Sequence, residues 1–457
     1  MAMGKRESEQ QEMWVATHDL PKSPGHPFFQ KLNRVLAEAD FDRKVEELCE
    51  PYYAEAGRRS IPPGVYFRML FVGYFEGIDS QRGIAWRCGD SLSLKEFLGY
   101  PITEETPDHS SLTTIRQRLP LEVHHQVFLF VLEIANRKKL LKGKTVGTDS
   151  TTLEANAAMK SIVLKETGED WKEYLKRLAK EEGIEDPSDE DLRRFDRKRK
   201  NKKVSNKDWE SKTDKDSRIA RMKDGRTHLA YKAEHTVDLE TDLVLSVEVH
   251  RADRGDTETL LQAIVGAQLN LMLSNSKAVI KDVVADKGYH SRDNLAVLDR
   301  HSIRAYIPEK KLRGRRKWKG KPAEHQLAYY GNQRRIKGKR GKALQRRRSE
   351  LTERTFAHIC ETGGARRTWL QGLENVNKRY LIHVAARNLG LVMRQAIGVG
   401  TPRSLQKEGI RPFCADLTLR VVINSLTRKW IPEFPLAFRF GNVFASRTRF
   451  QISAVAW

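Results

Sequence analysis

The residues of this chain best placed to do chemistry are acids that close apolar runs. Lys144 to Asp149 (KTVGTD) is a short β-branched stretch ending in Asp149, and Ala278 to Asp286 (AVIKDVVAD) is an apolar stretch ending in Asp286. Two carboxylates held side by side repel, and burying them together is costly unless a cation compensates. A hard divalent cation with oxygen ligands is the natural partner, and Mg2+ keeps open positions for water and phosphate. A third acid would complete a two-ion site with its ions about 3.5–4 Å apart. The helix expected around Arg346 to Cys360 offers Glu350 and Glu353. Glu353 is preferred, because Phe356 then packs inward while Arg347 and Arg354 point to phosphate; Glu350 is the runner-up.

These acids need elements to hold them. Residues 1–142 read as an all-helical DNA-binding domain. Pro62-Pro63 opens a strong apolar stretch, Asp79 or Ser80 caps a short helix through Arg87, and Ser110 or Ser111 caps another after the Pro107-Asp108 turn. Glu122 to Leu141 is a further amphipathic helix. The pattern changes at Gly143. After the first strand, His228 to Asp238 and Leu243 to His250 alternate as an antiparallel pair. Asp256 is expected to cap a helix to about Leu273, and the Asp286 strand follows. Next come a helix from Ser291 to His301, a short strand Ile303 to Ile307, and the helix with Glu353. In a last apolar helix, Val376 to Ala396, Asn388 is expected to pack or cap. This is the element order of a ribonuclease-H-like fold: an α+β chain whose mixed sheet carries flanking helices, behind an all-helical N-terminal domain. The first and fourth strands of such a sheet are parallel neighbours, which brings Asp149 and Asp286 face to face. The catalytic domain spans 143–397, with a charged insertion at 160–227 and a basic arm at 310–348. The tail, 398–457, has no assigned role.

The charge points to the substrate. The 457 residues carry 83 Lys/Arg against 60 Asp/Glu, a formal net charge of +23. Residues 310–348 hold seventeen Lys/Arg and one acid, Glu324, and so supply +16 of it. Like charge at that density does not pack in a core, so the first part is expected to be an extended arm. Lys310, Lys311, Arg313, Arg315, Arg316, Lys317, Lys319, Arg334 and Arg335, with Trp318 interleaved, are candidate contacts to a phosphate backbone. The run Trp171 to Lys203 differs, alternating acids and bases. It reads as a surface pair of helices restarted at Pro187-Ser188.

Other classes are excluded. Four cysteines, Cys49, Cys88, Cys360 and Cys414, lie far apart without a CxxC pair, against a zinc knuckle or disulfide framework and in keeping with a reducing cytoplasm. No apolar run is long enough to span a bilayer, and the polar N-terminus has no signal-peptide core. GRRKWKGKP (314–322) has the wrong spacing for a P-loop and ends in Pro where a hydroxyl must hold the ion.

On these residues the chain resembles the DDE transposases of bacterial insertion sequences, in the cut-and-paste group with a ribonuclease-H-like catalytic domain. The resemblance rests on GTDSTTLEANAAMKSIV (147–163), KDGRTHLAYKAEHTVD (223–238), VVADKGYHS (283–291), ERTFAHICETGG (353–364), LENVNKRYLIHVAARNLGLVMR (373–394) and PDHSSLTTIRQRL (107–119). It covers roughly residues 25–405. It implies that Asp149 and Asp286 are the metal-binding aspartates and Glu353 the third catalytic carboxylate. It also implies that Lys287, Tyr289, Arg346, Arg347, Arg348 and Arg354 lie near the DNA strand. Relatives often carry a Tyr and an Arg upstream of the catalytic Glu and a Lys seven residues after it. Here Arg346 stands seven before, Ser349 four before and Cys360 seven after.

The function implied is cleavage of the element's terminal inverted repeats by Mg2+-dependent hydrolysis, with two ions and Mn2+ able to substitute. Transfer of the freed 3′-OH to target DNA follows. The partners implied are double-stranded DNA and a second copy of the chain in a cytoplasmic homodimer, with no membrane. A nuclease of the same fold, or a DNA-binding protein descended from a transposase, are the alternatives.

Overall fold

The most apolar helix of the chain is central to its N-terminal part. α3 (Pro63–Glu76) is buried from Gly64 through Phe75, as expected of a helix apolar all round. α1 (Pro27–Glu38) and α2 (Phe41–Cys49) precede it, and α4 (Gln81–Gly89), α5 (Leu92–Leu98), α6 (His109–Arg118) and α7 (Leu121–Arg137) follow. Its one buried charge, Arg68, is fully engaged. It pairs with Asp42 at 2.7 Å and donates to Asn33 and to the Phe97 carbonyl. Ser80 caps α4, as expected. The cap of α6 is Asp108, not Ser110 or Ser111, because its carboxylate reaches the Ser110 N–H. The computed structural model describes residue 16 and residues 25–57, 60–200, 204–222, 225–309 and 318–407. Among them, residues up to Ser404 belong to one compact unit; the C-terminal tail lies almost wholly outside the described residues.

The sheet is built from β1 (Thr145–Glu154), β4 (Arg218–Arg221), β5 (Thr227–Asp238), β6 (Val244–Arg251), β7 (Asp282–Ala285) and β8 (Arg304–Tyr306). Two further short strands, β2 (Ile162–Leu164) and β3 (Trp209–Ser211), pair apart from it. β1 lies between antiparallel β5 and parallel β7, and β8 runs parallel beyond β7. β6 and β4 share the outer edge of β5. This is a ribonuclease-H-like mixed sheet, with the first strand and the strand before Asp286 as parallel neighbours. One difference bears on the site. β1 does not stop at Asp149; it continues five residues further, paired with β5 as far as Glu154 and Ala230. Asp149 is therefore mid-strand, level with the point where β7 ends.

Alternate residues of β1 and β5 face opposite layers. On one face Asp149 and His235 meet α13 (Lys339–Phe356), and His235 also accepts or donates at Tyr380 of α14 (Leu373–Ile397), 2.9 Å away. On the other, Ser150 and Glu234 meet α10 (Asp256–Leu273). α10 starts after Gly255, and Asp256 is its first residue rather than its cap. α14 also packs on α3 and α7. Asn388 clamps the edge strand, accepting from the Val244 N–H and donating to its carbonyl.

The charged insertion forms α8 (Trp171–Glu181) and α9 (Asp189–Lys198), each opened by a capping box and joined by Leu175, Ala179 and Leu192. Between β7 and β8 lies α11 (Arg292–Arg300). The first part of the basic segment, expected as an extended arm, lies at 310–317 outside the described residues. The described part of the segment is helical: α12 (Ala323–Lys337) and the first ten residues of α13. Ala328, Tyr329 and Asn332 bury one stripe of α12, Asn332 bonding both the N–H and the carbonyl of Ile307, while Arg334 and Lys337 take the outer faces. Gly341 lets α13 cross close to α12; a Cβ there would meet the Arg335 carbonyl oxygen at 2.2 Å.

Candidate active site

Thr148 pairs with Ala285 as the last rung of the β1–β7 ladder, so Asp149 and Asp286 emerge side by side. The Asp149 carboxylate is held on three sides. Arg348 Nη1 of α13 donates to its Oδ2 at 2.7 Å, Thr352 Oγ1 donates to the same oxygen at 3.2 Å, and Oδ1 accepts from the Ser150 N–H. Burial pushes its pKa up; Arg348 opposes that, and the neighbouring Asp286 charge adds to it. Asp286 folds its carboxylate back onto the Gly288 N–H at 2.5 Å, opening the turn Lys287–Tyr289.

The helix α13 turns Gln345, Arg348, Thr352 and Thr355 toward the sheet. At about 100° per residue, Glu353 lies some 120° round from the Arg348–Thr352 stripe and Glu350 about 180°. Both are exposed. Glu353 accepts from Ser349 Oγ at 2.9 Å, and Glu350 pairs with Arg354 at 2.5 Å. Two aspartates are thus brought together, while the two glutamates stay on the rim, Glu353 nearer. Among the described residues no three acid, histidine or cysteine side chains gather closely enough to enclose a metal ion. The adjacent Asp149 and Asp286 fit a hard cation in donor type and in their mutual repulsion, with Arg348 now supplying the positive charge.

The expected DNA contacts divide. Lys287, Lys319, Arg334 and Arg346 are exposed. Arg347 donates to the Leu239 and Glu240 carbonyls, and Arg354 is shared between Glu350 and Asp242. Trp318 packs on Tyr329 and Tyr330 and donates to the Tyr330 hydroxyl. Two expectations are corrected. Tyr289 is buried, 1% exposed, and donates to Glu234 at 2.7 Å, so it supports the Asp286 turn instead of facing DNA. Arg335 is half-buried and donates to the Ala305 carbonyl, which fastens α12 to β8. Lys310, Lys311, Arg313, Arg315, Arg316 and Lys317 lie outside the described residues.

Behind the aspartates is a polar group that reading the sequence missed. Lys232, 5% exposed, pairs with Asp256 at 2.7 Å and donates to the Arg254 carbonyl and Thr259. Glu234, also buried, accepts from Thr259 and Tyr289. Asp256 and Asp286 each put an oxygen within 2.8 Å of where a Cβ on Gly288 would sit, which is why only glycine fits there. The signal was present: Lys232 and Glu234 stand two apart on a central strand, hence on one buried face.

No curated protein matches the chain. Two family models match it in succession: a transposase domain (DUF772) over residues 17–118 and a transposase DDE domain over residues 201–389. The first covers most of the N-terminal helices, and the second contains Asp286, Glu353 and the strands and helices around them. With the parallel β1–β7 pair and its two aspartates, these matches lead to one conclusion: the chain belongs to the DDE transposases of insertion sequences.

Proposed function

We propose that this transposase binds the terminal inverted repeats of its insertion sequence, cleaves the ends by Mg2+-dependent hydrolysis and joins the freed 3′-OH to target DNA. The observation that carries the reading is the pair Asp149–Asp286 at the end of the β1–β7 ladder, beneath the basic helix α13. Family members generally use divalent metal ions. Asp149, Asp286 and, from the rim, Glu353 would hold them, Mn2+ serving in place of Mg2+. Such an ion polarises phosphate and lowers the pKa of a bound water.

The chain's own groups prepare that chemistry. Arg348 and Thr352 fix the Asp149 rotamer, and the Gly288 N–H fixes that of Asp286. Arg348 opposes the rise that burial imposes on the Asp149 pKa and so favours the ionised state in which a carboxylate can ligate. With a cation held at Asp149, Arg348 would be available to face a DNA phosphate from the same helix face. Exposed Lys287, next to Asp286 in the chain, would hold the strand through a charge-assisted contact. Two ends must be cut together, so the acting form is proposed to be a dimer on DNA.

The test incubates the protein with labelled terminal-repeat ends, target plasmid and Mg2+. Cut ends plus joined product support the reading. Cutting without joining makes the protein a nuclease, and a bound but uncut complex makes it a DNA-binding protein only.

A further inference from the structure

A second cleft opens on the other face of β1, one residue beyond Asp149. Its volume is about 520 Å3, and its walls include Ser150, Thr152, Arg221, Lys232, Arg254 and Asp256. The carboxylate of Asp256 is already neutralised by Lys232 at 2.7 Å. The remaining charge comes from Arg221 and Arg254, both exposed. Among the described residues Arg221 donates to the Gly225 carbonyl, and Arg254 approaches Glu258 at 3.8 Å. The cleft is therefore cationic, lined with hydroxyls, and adjoins the aspartates through Ser150, whose N–H donates to Asp149 at 2.9 Å and whose Oγ lies 3.3 Å from Asp256. Two guanidinium groups beside hydroxyls recognise phosphate oxygens.

We infer that this cleft seats the DNA backbone phosphate next to the scissile one, so that the cut strand crosses β1 just beyond the end of β7, from the α13 side to the α10 side. The inference rests on the proposed function for the identity of the strand. It adds Arg221 and Arg254, on the β4 and β6–α10 segments, to a substrate path otherwise built from α12, α13 and the Asp286 turn.

The test uses the full chain and a labelled terminal-repeat duplex. Binding is measured against salt for wild type, for Arg221→Ala/Arg254→Ala, and for Arg177→Ala/Lys180→Ala, which removes equal charge from the exposed face of α8. The cleft variant is expected to bind roughly tenfold more weakly at physiological salt, with a log–log salt slope smaller by about 2, while the α8 variant matches wild type. Uncharged methylphosphonates placed singly beside the scissile phosphate should weaken wild-type binding and add nothing in the cleft variant. Equal affinity and slope in the cleft variant and wild type would overturn the inference, as would methylphosphonate penalties that persist in the variant. Cutting is scored separately: a wild type that binds in this pattern but never cuts refutes the proposed reaction and leaves the phosphate seat standing.

Discussion

Replacing Lys232 with methionine keeps the length of the side chain and removes its charge. In the folded protein that ammonium is almost fully enclosed and holds Asp256 at 2.7 Å, the Arg254 carbonyl at 3.2 Å and Thr259 at 3.3 Å. Removing one partner of a buried ion pair costs about 3–5 kcal/mol, because the other charge is left uncompensated. Asp256 is 33% exposed and regains water, so the lower end, about 3 kcal/mol, is expected. Asp256→Asn leaves the more deeply buried lysine with a neutral partner and should cost a similar amount. The double variant should fall short of the sum by about 2 kcal/mol, since each change removes the same interaction. Urea unfolding followed by tryptophan fluorescence measures all four proteins. A cost for Lys232→Met below about 0.5 kcal/mol, the range of ordinary surface changes, would refute the view that this pair braces the Asp286 turn. So would additive effects of the two changes.

Further outcomes follow from other sites. His124 is fully buried against Tyr66 and the Pro120 carbonyl, and burial pushes its pKa down to about 4. The unfolded chain takes up that proton near 6.5, so stability is intact above that value and falls as pH drops toward 4. The loss is about 3 kcal/mol from this group, and urea midpoints should lose part of their acid dependence in His124→Gln. Gly341→Ala places a methyl 2.2 Å from the Arg335 carbonyl oxygen. The overpacking, about 1–3 kcal/mol, outweighs the gain in helix propensity of about 1 kcal/mol. Thermal melting should show a loss there and no loss for Gly331→Ala, where the nearest atom is the movable end of Arg335. In cleavage assays Glu353→Gln should abolish cutting and Glu350→Gln should leave most of it; the reverse result would exchange their roles.

The sequence carried the core of the site because strand order is a global constraint. Once the strands before Asp149 and Asp286 are parallel neighbours, their ends meet whatever lies between them. The end of β1 was not legible in the same way: GTDSTTLE is polar after Asp149, and only pairing with β5 extends the strand to Glu154. Tyr289 was misplaced because its motif says nothing of Glu234, 55 residues earlier, which buries its hydroxyl. Helix α12 was not anticipated within the basic segment because charge density was weighed above helix propensity. Lys, Arg, Gln and Ala are good helix formers, and Tyr329 and Asn332 gave α12 an inner face. Lys232 and Glu234 were visible as charges at alternating strand positions, but Asp256 joins them only through the start of α10.

The central claim, that Asp149 and Asp286 together hold the divalent ion, is most directly tested by metal-directed scission. The DNA-bound protein is loaded with Fe2+, treated with ascorbate and peroxide, and its backbone breaks are mapped. The account predicts breaks clustered at Asp149 and Asp286 with a weaker set near Glu353, suppressed by excess Mg2+ and lost in Asp149→Ala. Breaks elsewhere in the chain, or a pattern unchanged by Asp149→Ala, would contradict it.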